Sequence, residues 1–186
     1  MAPAQRSVQS HPRTEPTPFA HCRSILAVIH SVGEAADRSY SFIVCATKCL
    51  SDIRSASSIL EPLLKTLSSS LSTTVVLLQN GVGIEEDVQK ALAGVGAENP
   101  VLSGCAWTDS TALDGGSRIV QHGNERLVLG CHAAVSRSAS AGERGRADLE
   151  RFCQLLQTGG VAAETVKDID AARWRKVLWY AYNFNY

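Results

Sequence analysis

The chain has 186 residues, with 18 basic and 18 acidic side chains balancing to a formal net charge of zero, 45% hydrophobic residues and a mean hydropathy of -0.02. That size holds one domain, or one and a fraction, around a packed core, and the balanced charge excludes a face dominated by Lys and Arg of the kind that grips nucleic acid. No apolar run is long enough to cross a bilayer, and the six cysteines at 22, 45, 49, 105, 131 and 153 contain no C-x-x-C pair, so no zinc or other metal is expected.

Residues 1–21 carry Pro3, Pro12, Pro16 and Pro18 among Ser, Thr, Gln and His, the composition of a disordered lead. It has no apolar core for a signal peptide, and its prolines spoil the amphipathic helix of a mitochondrial presequence. Residues 24–32 (SILAVIHSV) fit either a strand or a short buried helix, and 33–38 form a polar connection. Residues 42–46 (FIVCA) and 75–78 (VVLL) are short, β-branched, continuous apolar runs, which suit strands covered on both faces in a parallel sheet. Between them Ile59, Leu60, Leu63, Leu64 and Leu67 recur at helical spacing, which makes a strand, crossover helix, strand unit.

Each of these strands ends in a polar feature: Thr47-Lys48 after the first, Gln79-Asn80-Gly81 after the second. Open parallel sheets bind ligands outside the carboxyl ends of their strands, so Lys48 and Asn80 are the first candidate site residues. A helix follows over 84–93, and Glu85, Glu86 and Asp87 occupy its first turn. Those carboxylates suit the positive helix end but argue against Asn-Gly-Val-Gly cradling a phosphate there.

A third strand is predicted over 101–107, and a hairpin from 117–122 and 126–130 around Gly123-Asn124-Glu125. His122 reads as an ordinary strand residue of that hairpin. Residues 136–146, rich in Ser, Gly and Arg, read as a loop that solvates Arg137, Arg144 and Arg146. An amphipathic helix is predicted over 147–157, an edge strand over 161–166, and a last helix with Asp170 as its N-cap, running to the chain end. Trp174 and Trp179 on that helix read as core. The cysteines within apolar runs, Cys45 among them, read as reduced thiols of a cytoplasmic protein.

Four stretches together carry a resemblance: IVCATK ending at Lys48, LLQNGVGIEE at 77–86, QHGNERLVLG at 121–130 and DIDAARWRKVLW at 168–179. In this order and spacing the sequence resembles ketopantoate reductase (2-dehydropantoate 2-reductase), fungal members most of all, over roughly 32–185. The resemblance implies an oxidoreductase that reduces the keto group of a small-molecule 2-keto acid with NADPH, toward pantothenate. It implies a dinucleotide domain followed by a helical domain, with the site between them. Lys48 and Asn80 would contact NADP, Asn80 would also meet the substrate, and Lys176 would be the general acid. A positioned ammonium suits that role, because hydride delivery to a ketone builds negative charge on its oxygen. Asn183, seven residues beyond Lys176 on the same helix face, is expected to contact substrate.

The sequence departs from that pattern in three places. There is no G-x-G-x-x-G, and Gly33 is the only glycine before Gly81. The family's helical domain would only begin at 167–186, which leaves its serine and glutamate without counterparts. The asparagines that the family places four and eight residues after the lysine are Tyr180 and Phe184 here, with Asn183 and Asn185 displaced by one. The expectation is therefore an α/β chain: a loose lead over 1–21, a partial Rossmann-like parallel sheet with a following hairpin over 22–166, and the first helix of an all-α domain over 167–186. The strand at 42–46 should lie at an open edge unless 24–30 covers it, and the apolar last helix should need a cover, such as a second copy of the chain. The same features also fit a non-catalytic remnant that binds a partner, or a family member recruited to a specialised pathway.

Overall fold

The computed structural model describes residues 29–50, 52–67, 72–132 and 139–183. Five strands form one sheet in chain order: β1 (Phe42–Cys45), β2 (Thr74–Leu77), β3 (Val101–Leu113), β4 (Arg118–Cys131) and β5 (Ala163–Thr165). β1, β2 and β3 run parallel, β4 turns back antiparallel to β3, and β5 lies parallel to β4. Four helices cover the sheet: α1 (Ala56–Leu64), α2 (Ile84–Gly94), α3 (Ala139–Thr158) and α4 (Ile169–Asn183).

Alternation along each strand decides which helix it meets. Val75 and Leu77 of β2 face α1 and α2 together with Ile43, Cys45, Leu60, Leu64, Val88 and Leu92. Val76 points the other way, to Leu149, Phe152 and Cys153 of α3, with Leu102, Leu127 and Leu129. Val128 and Cys105 point back to the first face, where Ile169 and Ala172 of α4 pack beside α2. The result is three layers with β2 fully buried in the middle, as its unbroken apolar run requires. α1 starts at Ser55, whose hydroxyl accepts from Ser58 N, and the Asp87 carboxylate of α2 accepts from Ser57 N in the same turn.

Several local expectations are corrected. The two expected hairpin arms, 117–122 and 126–130, fall from Arg118 onward in one strand, β4, and the hairpin that forms pairs β3 with β4 around the turn Asp114-Gly115-Gly116, all three at positive φ. Gly123-Asn124-Glu125 is a bulge within β4: Trp107 pairs with Arg126 and Asp109 with His122, leaving three residues opposite one. The predicted loop at 136–146 is helix from Ala139 onward, and Arg144 there donates to the buried Asp148 at 2.6 Å. Gly145 lies within α3 because the helix passes so close to β4 that a Cβ would sit 2.8 Å from Cys131 Sγ. Asp168, not Asp170, caps α4 by accepting from Ala171 N. Trp174 and Trp179 are exposed, along with Leu178 and Tyr182, because α4 turns only Ile169, Ala172, Arg173 and Lys176 into the fold.

The outer edge of β1 has no neighbouring strand among the described residues, and 24–28, expected as a possible cover, lie outside them, as does the lead at 1–21. No described helix is long and apolar enough to cross a membrane. Three of the described cysteines, Cys45, Cys105 and Cys153, are buried.

Gly130 sets how closely α4 approaches the sheet, because a Cβ there would lie 2.6 Å from Ile169 Cβ and 3.2 Å from the Val166 carbonyl oxygen. Gly130→Ala should therefore cost about 1–3 kcal/mol in urea unfolding, the usual range for overpacking. Ala substituted at the open Gly116 (φ 91) strains only the turn and should leave α4 docked.

Candidate active site

The carboxyl ends of β1 and β2 lie side by side. Leu78 N donates to Cys45 O, and the Gln79 side chain donates to Thr47 Oγ1 at 3.0 Å. Lys48 follows Thr47 with its side chain exposed, and Asn80 follows Gln79, also exposed. Gly81 (φ 127) and Gly83 (φ 74) let the chain swing from β2 into α2, backbone shapes that side chains resist.

Beneath this turn lies a side chain that the sequence reading did not single out. Arg173 of α4 is 1% exposed. Its guanidinium donates to Gln79 O (3.0 Å), Gly81 O (2.7 Å), Leu77 O (3.4 Å) and Ser103 Oγ (2.7 Å). A planar fork with several donors can gather that many acceptors where a lysine cannot. The shape of the Asn80 turn is thus fixed from below by α4.

One turn further along the same helix face, Lys176 is 5% exposed and donates to the Ala106 carbonyl of β3. Its ammonium lies 5.8 Å from the Trp107 ring centroid and 5.6 Å from that of Tyr180, in range of cation–π attraction. Trp179 closes the cage edge-on to both rings. Burial holds the Lys176 amine below its ordinary value; the Cys105 thiol opposes this, and Arg173 adds to it. Asn80 Nδ2 donates to Tyr180 Oη at 3.4 Å, which ties the β2 turn to the lysine's cage.

A second polar group lies on the same face. Ser103 Oγ and His132 Nε2 are 2.7 Å apart, and His132 Nδ1 faces Asp170 Oδ1 at 3.4 Å and Glu85 Oε1 at 3.7 Å. Burial pushes the His132 imidazole below its usual value, against the pull of the two carboxylates. Serine, histidine and carboxylate in line resemble an acyl-transfer relay. Ser103, however, is fully buried and its oxygen is held by Arg173, so no acyl group can reach it.

The structure thus brings Asn80 and Lys176 together through Tyr180 and sets Lys48 at the neighbouring strand end. Asn183 is the last residue of α4, and its side chain lies outside what is described. The cavities of about 440 Å³ and 610 Å³ lie elsewhere, beside α2 and between α3 and β5, and neither is lined by Lys48, Asn80 or Lys176. Arg173 was legible only as one more cation on an amphipathic helix. Its i, i+3 spacing from Lys176 and from Asp170 was the available signal.

The chain is similar to known proteins of one family. The family model described as ketopantoate reductase PanE/ApbA matches residues 5–134, a span that includes Lys48 and Asn80 and stops before Lys176. A curated 2-dehydropantoate 2-reductase of Nostoc sp. (strain PCC 7120) is 26% identical over 106 residues, covering 56% of this chain and 30% of that protein. The crystal structure of 2-dehydropantoate 2-reductase from Geobacter metallireducens GS-15 superposes with a TM-score of 0.57 at 21% identity, over 82% of this chain and 43% of that one. That from Methylococcus capsulatus gives 0.55 at 23% identity, over 81% and 42%. The chain therefore spans less than half the length of these relatives, and the structural likeness speaks for the fold.

Two outcomes follow from the geometry. Arg173→Met leaves the carbonyls of Leu77, Gln79 and Gly81 without their donor and should lower stability by about 3 kcal/mol or more; it should also speed amide exchange over 81–83, with Arg173→Lys recovering only part of the loss. Because the folded chain holds the Lys176 amine below its unfolded value, the unfolded chain binds more protons between the two values, so this group's contribution rises with pH through that window. The stability of wild type relative to Lys176→Met, measured in urea, should therefore rise with pH below the ordinary lysine value of 10.5 and level off above it; a flat difference contradicts the burial assigned to the amine.

Proposed function

The chain belongs to the ketopantoate reductase family, and from that membership we propose that its site works at the carboxyl ends of β1 and β2 as a reductase of a 2-keto acid such as 2-dehydropantoate, using NADPH. The observation that carries this is the single physical unit formed by the Asn80 turn, the Arg173 fork and the caged Lys176 ammonium.

The residues present fit the nicotinamide end of a dinucleotide better than its pyrophosphate. Lys48 and Asn80 offer a cation and an amide at adjacent strand ends. The first turn of α2, in contrast, already carries Glu85, Glu86 and Asp87, and the sequence has no G-x-G-x-x-G. A bound nicotinamide cofactor supplies hydride to the carbonyl carbon. The chain's own part is to hold the keto acid near Asn80 and to deliver a proton from Lys176 Nζ to the carbonyl oxygen, which leaves a 2-hydroxy acid and a neutral amine that solvent reprotonates. The depressed amine makes that proton easier to release. Asn183 would add a contact to the substrate from the end of α4.

A second reading is favoured by the acid-loaded α2 terminus and the missing glycine-rich turn: a non-catalytic family member that has kept the β-strand ends without cofactor affinity. NADPH titration of the whole chain separates the two. The reductase reading expects a raised thermal midpoint, since a ligand at about 100 times its Kd adds roughly 2.7 kcal/mol to the native state. It also expects loss of NADPH absorbance on adding 2-dehydropantoate, and a drop of about 10²-fold or more in kcat for Lys176→Ala with the midpoint shift retained. An unmoved midpoint at millimolar NADPH and no turnover decide for the second reading.

A further inference from the structure

His132, Glu85 and Asp170 come from three elements far apart in sequence: the residue after β4, the first turn of α2 and the first turn of α4. Their donor atoms all lie within 4.8 Å of one another. His132 Nδ1 is 3.4 Å from Asp170 Oδ1 and 3.7 Å from Glu85 Oε1, both beyond the 2.7–3.2 Å of a good N–H···O hydrogen bond. Zinc bonds of about 2.0–2.2 Å set neighbouring ligands of a tetrahedron about 3.3–3.6 Å apart. The Asp170 pair falls in that range and the Glu85 pair lies just beyond it, so a small closing of the three side chains would bring them to ligand spacing.

A second feature points the same way. The Glu85 side chain is 10% exposed, and its Oε2 is buried with no hydrogen-bond partner. A buried carboxylate oxygen without a donor is costly unless a cation answers it. The Arg173 guanidinium lies within electrostatic reach of both carboxylates, but its hydrogen bonds go to Ser103 and the β2 carbonyls, so its charge offsets part of the cost without giving Glu85 Oε2 a donor. Ser103 Oγ lies 2.7 Å from His132 Nε2, the outer contact that orients a ligating imidazole and fixes its tautomer. The cavity beside α2 is lined in part by His132, and Asp170, 61% exposed, leaves the remaining position open to water.

We propose that Glu85, His132 and Asp170 form a binding site for a divalent cation of the zinc type, with water as the fourth ligand, which staples α2, β4 and α4 together. This goes against the sequence expectation of no metal, because the ligands have no motif spacing and meet only in the fold. It stands apart from the reductase reading, for it needs neither Lys176 nor a dinucleotide.

The test is calorimetric titration of the metal-free full chain with ZnCl2, together with Co2+ titration followed by visible absorption. The expected result is a single site, a higher thermal midpoint with zinc, and Co2+ bands of a low-coordinate nitrogen and oxygen site. Asp170→Asn, at an exposed position, should keep the metal-free midpoint and weaken binding at least about tenfold; Glu85→Gln should do the same to binding. Absence of saturable binding overturns the proposal. So does binding that the two variants leave unchanged, or a Co2+ spectrum dominated by thiolate charge transfer, which would place the ion on the cysteines.

Discussion

A buried guanidinium is expensive unless its donors are met, and Arg173 meets most of that demand through its two terminal nitrogens, which gather the oxygens at the end of one strand and the hydroxyl of the next while Nε stays without a partner. Leu77, Gln79 and Gly81 present their carbonyls where β2 stops pairing and its backbone turns away from the sheet. Left alone, those oxygens would need water, and the first face of the sheet is closed to water by α2 and α4. One side chain therefore does two things. It neutralises a patch of inward carbonyls, and it locks α4 to the strand end whose outer side carries Asn80.

The consequence for the site is geometric. Arg173 and Lys176 are three residues apart, so a single helix face carries both cations inward. The first is held by carbonyls of β2 and the turn after it, the second by a carbonyl of β3 and two aromatic rings. Neither can shift without the other, since both ride on the same rigid turn of helix. Their mutual repulsion, added to burial, keeps the Lys176 amine below its ordinary range. The Lys176 ammonium is thus held at a fixed place by one backbone carbonyl and two aromatic rings.

What the sequence showed of this followed from how local each signal was. β1 and β2 were legible because their apolar runs answer to burial on both faces. The Asn80 and Lys48 positions followed from where those runs end. The length of β3 and β4 was not legible, because beyond Trp107 the two strands leave the body of the sheet; residues 108–112 are exposed and carry no alternation to read. The hairpin turn was read at Gly123, which proved to be a bulge, and the actual turn at 114–116 was passed over. The start of α3 was hidden by Ser, Gly and Arg, residues that suit a loop, although Ala141 and Gly145 are the small side a helix needs to lie close on β4 and Pro100. Arg173, Ser103 and His132 were not legible as a group, because nothing in residue order brings 103, 132 and 173 together.

The distribution of charge around α2 and α4 bears on what the molecule can attract. Both helices begin on the inner face, and each carries a carboxylate in its first turn, Glu85 and Asp170, directed at His132. The positive ends of the two helix dipoles are thereby answered from within the chain, and neither remains available to a phosphate. The cations at the strand ends are of another kind: Lys48 lies in solvent, and Lys176 is buried in its aromatic cage. An incoming carboxylate meets positive charge at the ends of β1 and β2 and negative charge one helix turn away. On the reading proposed above, this separation orients a keto acid with its carbonyl toward Lys176.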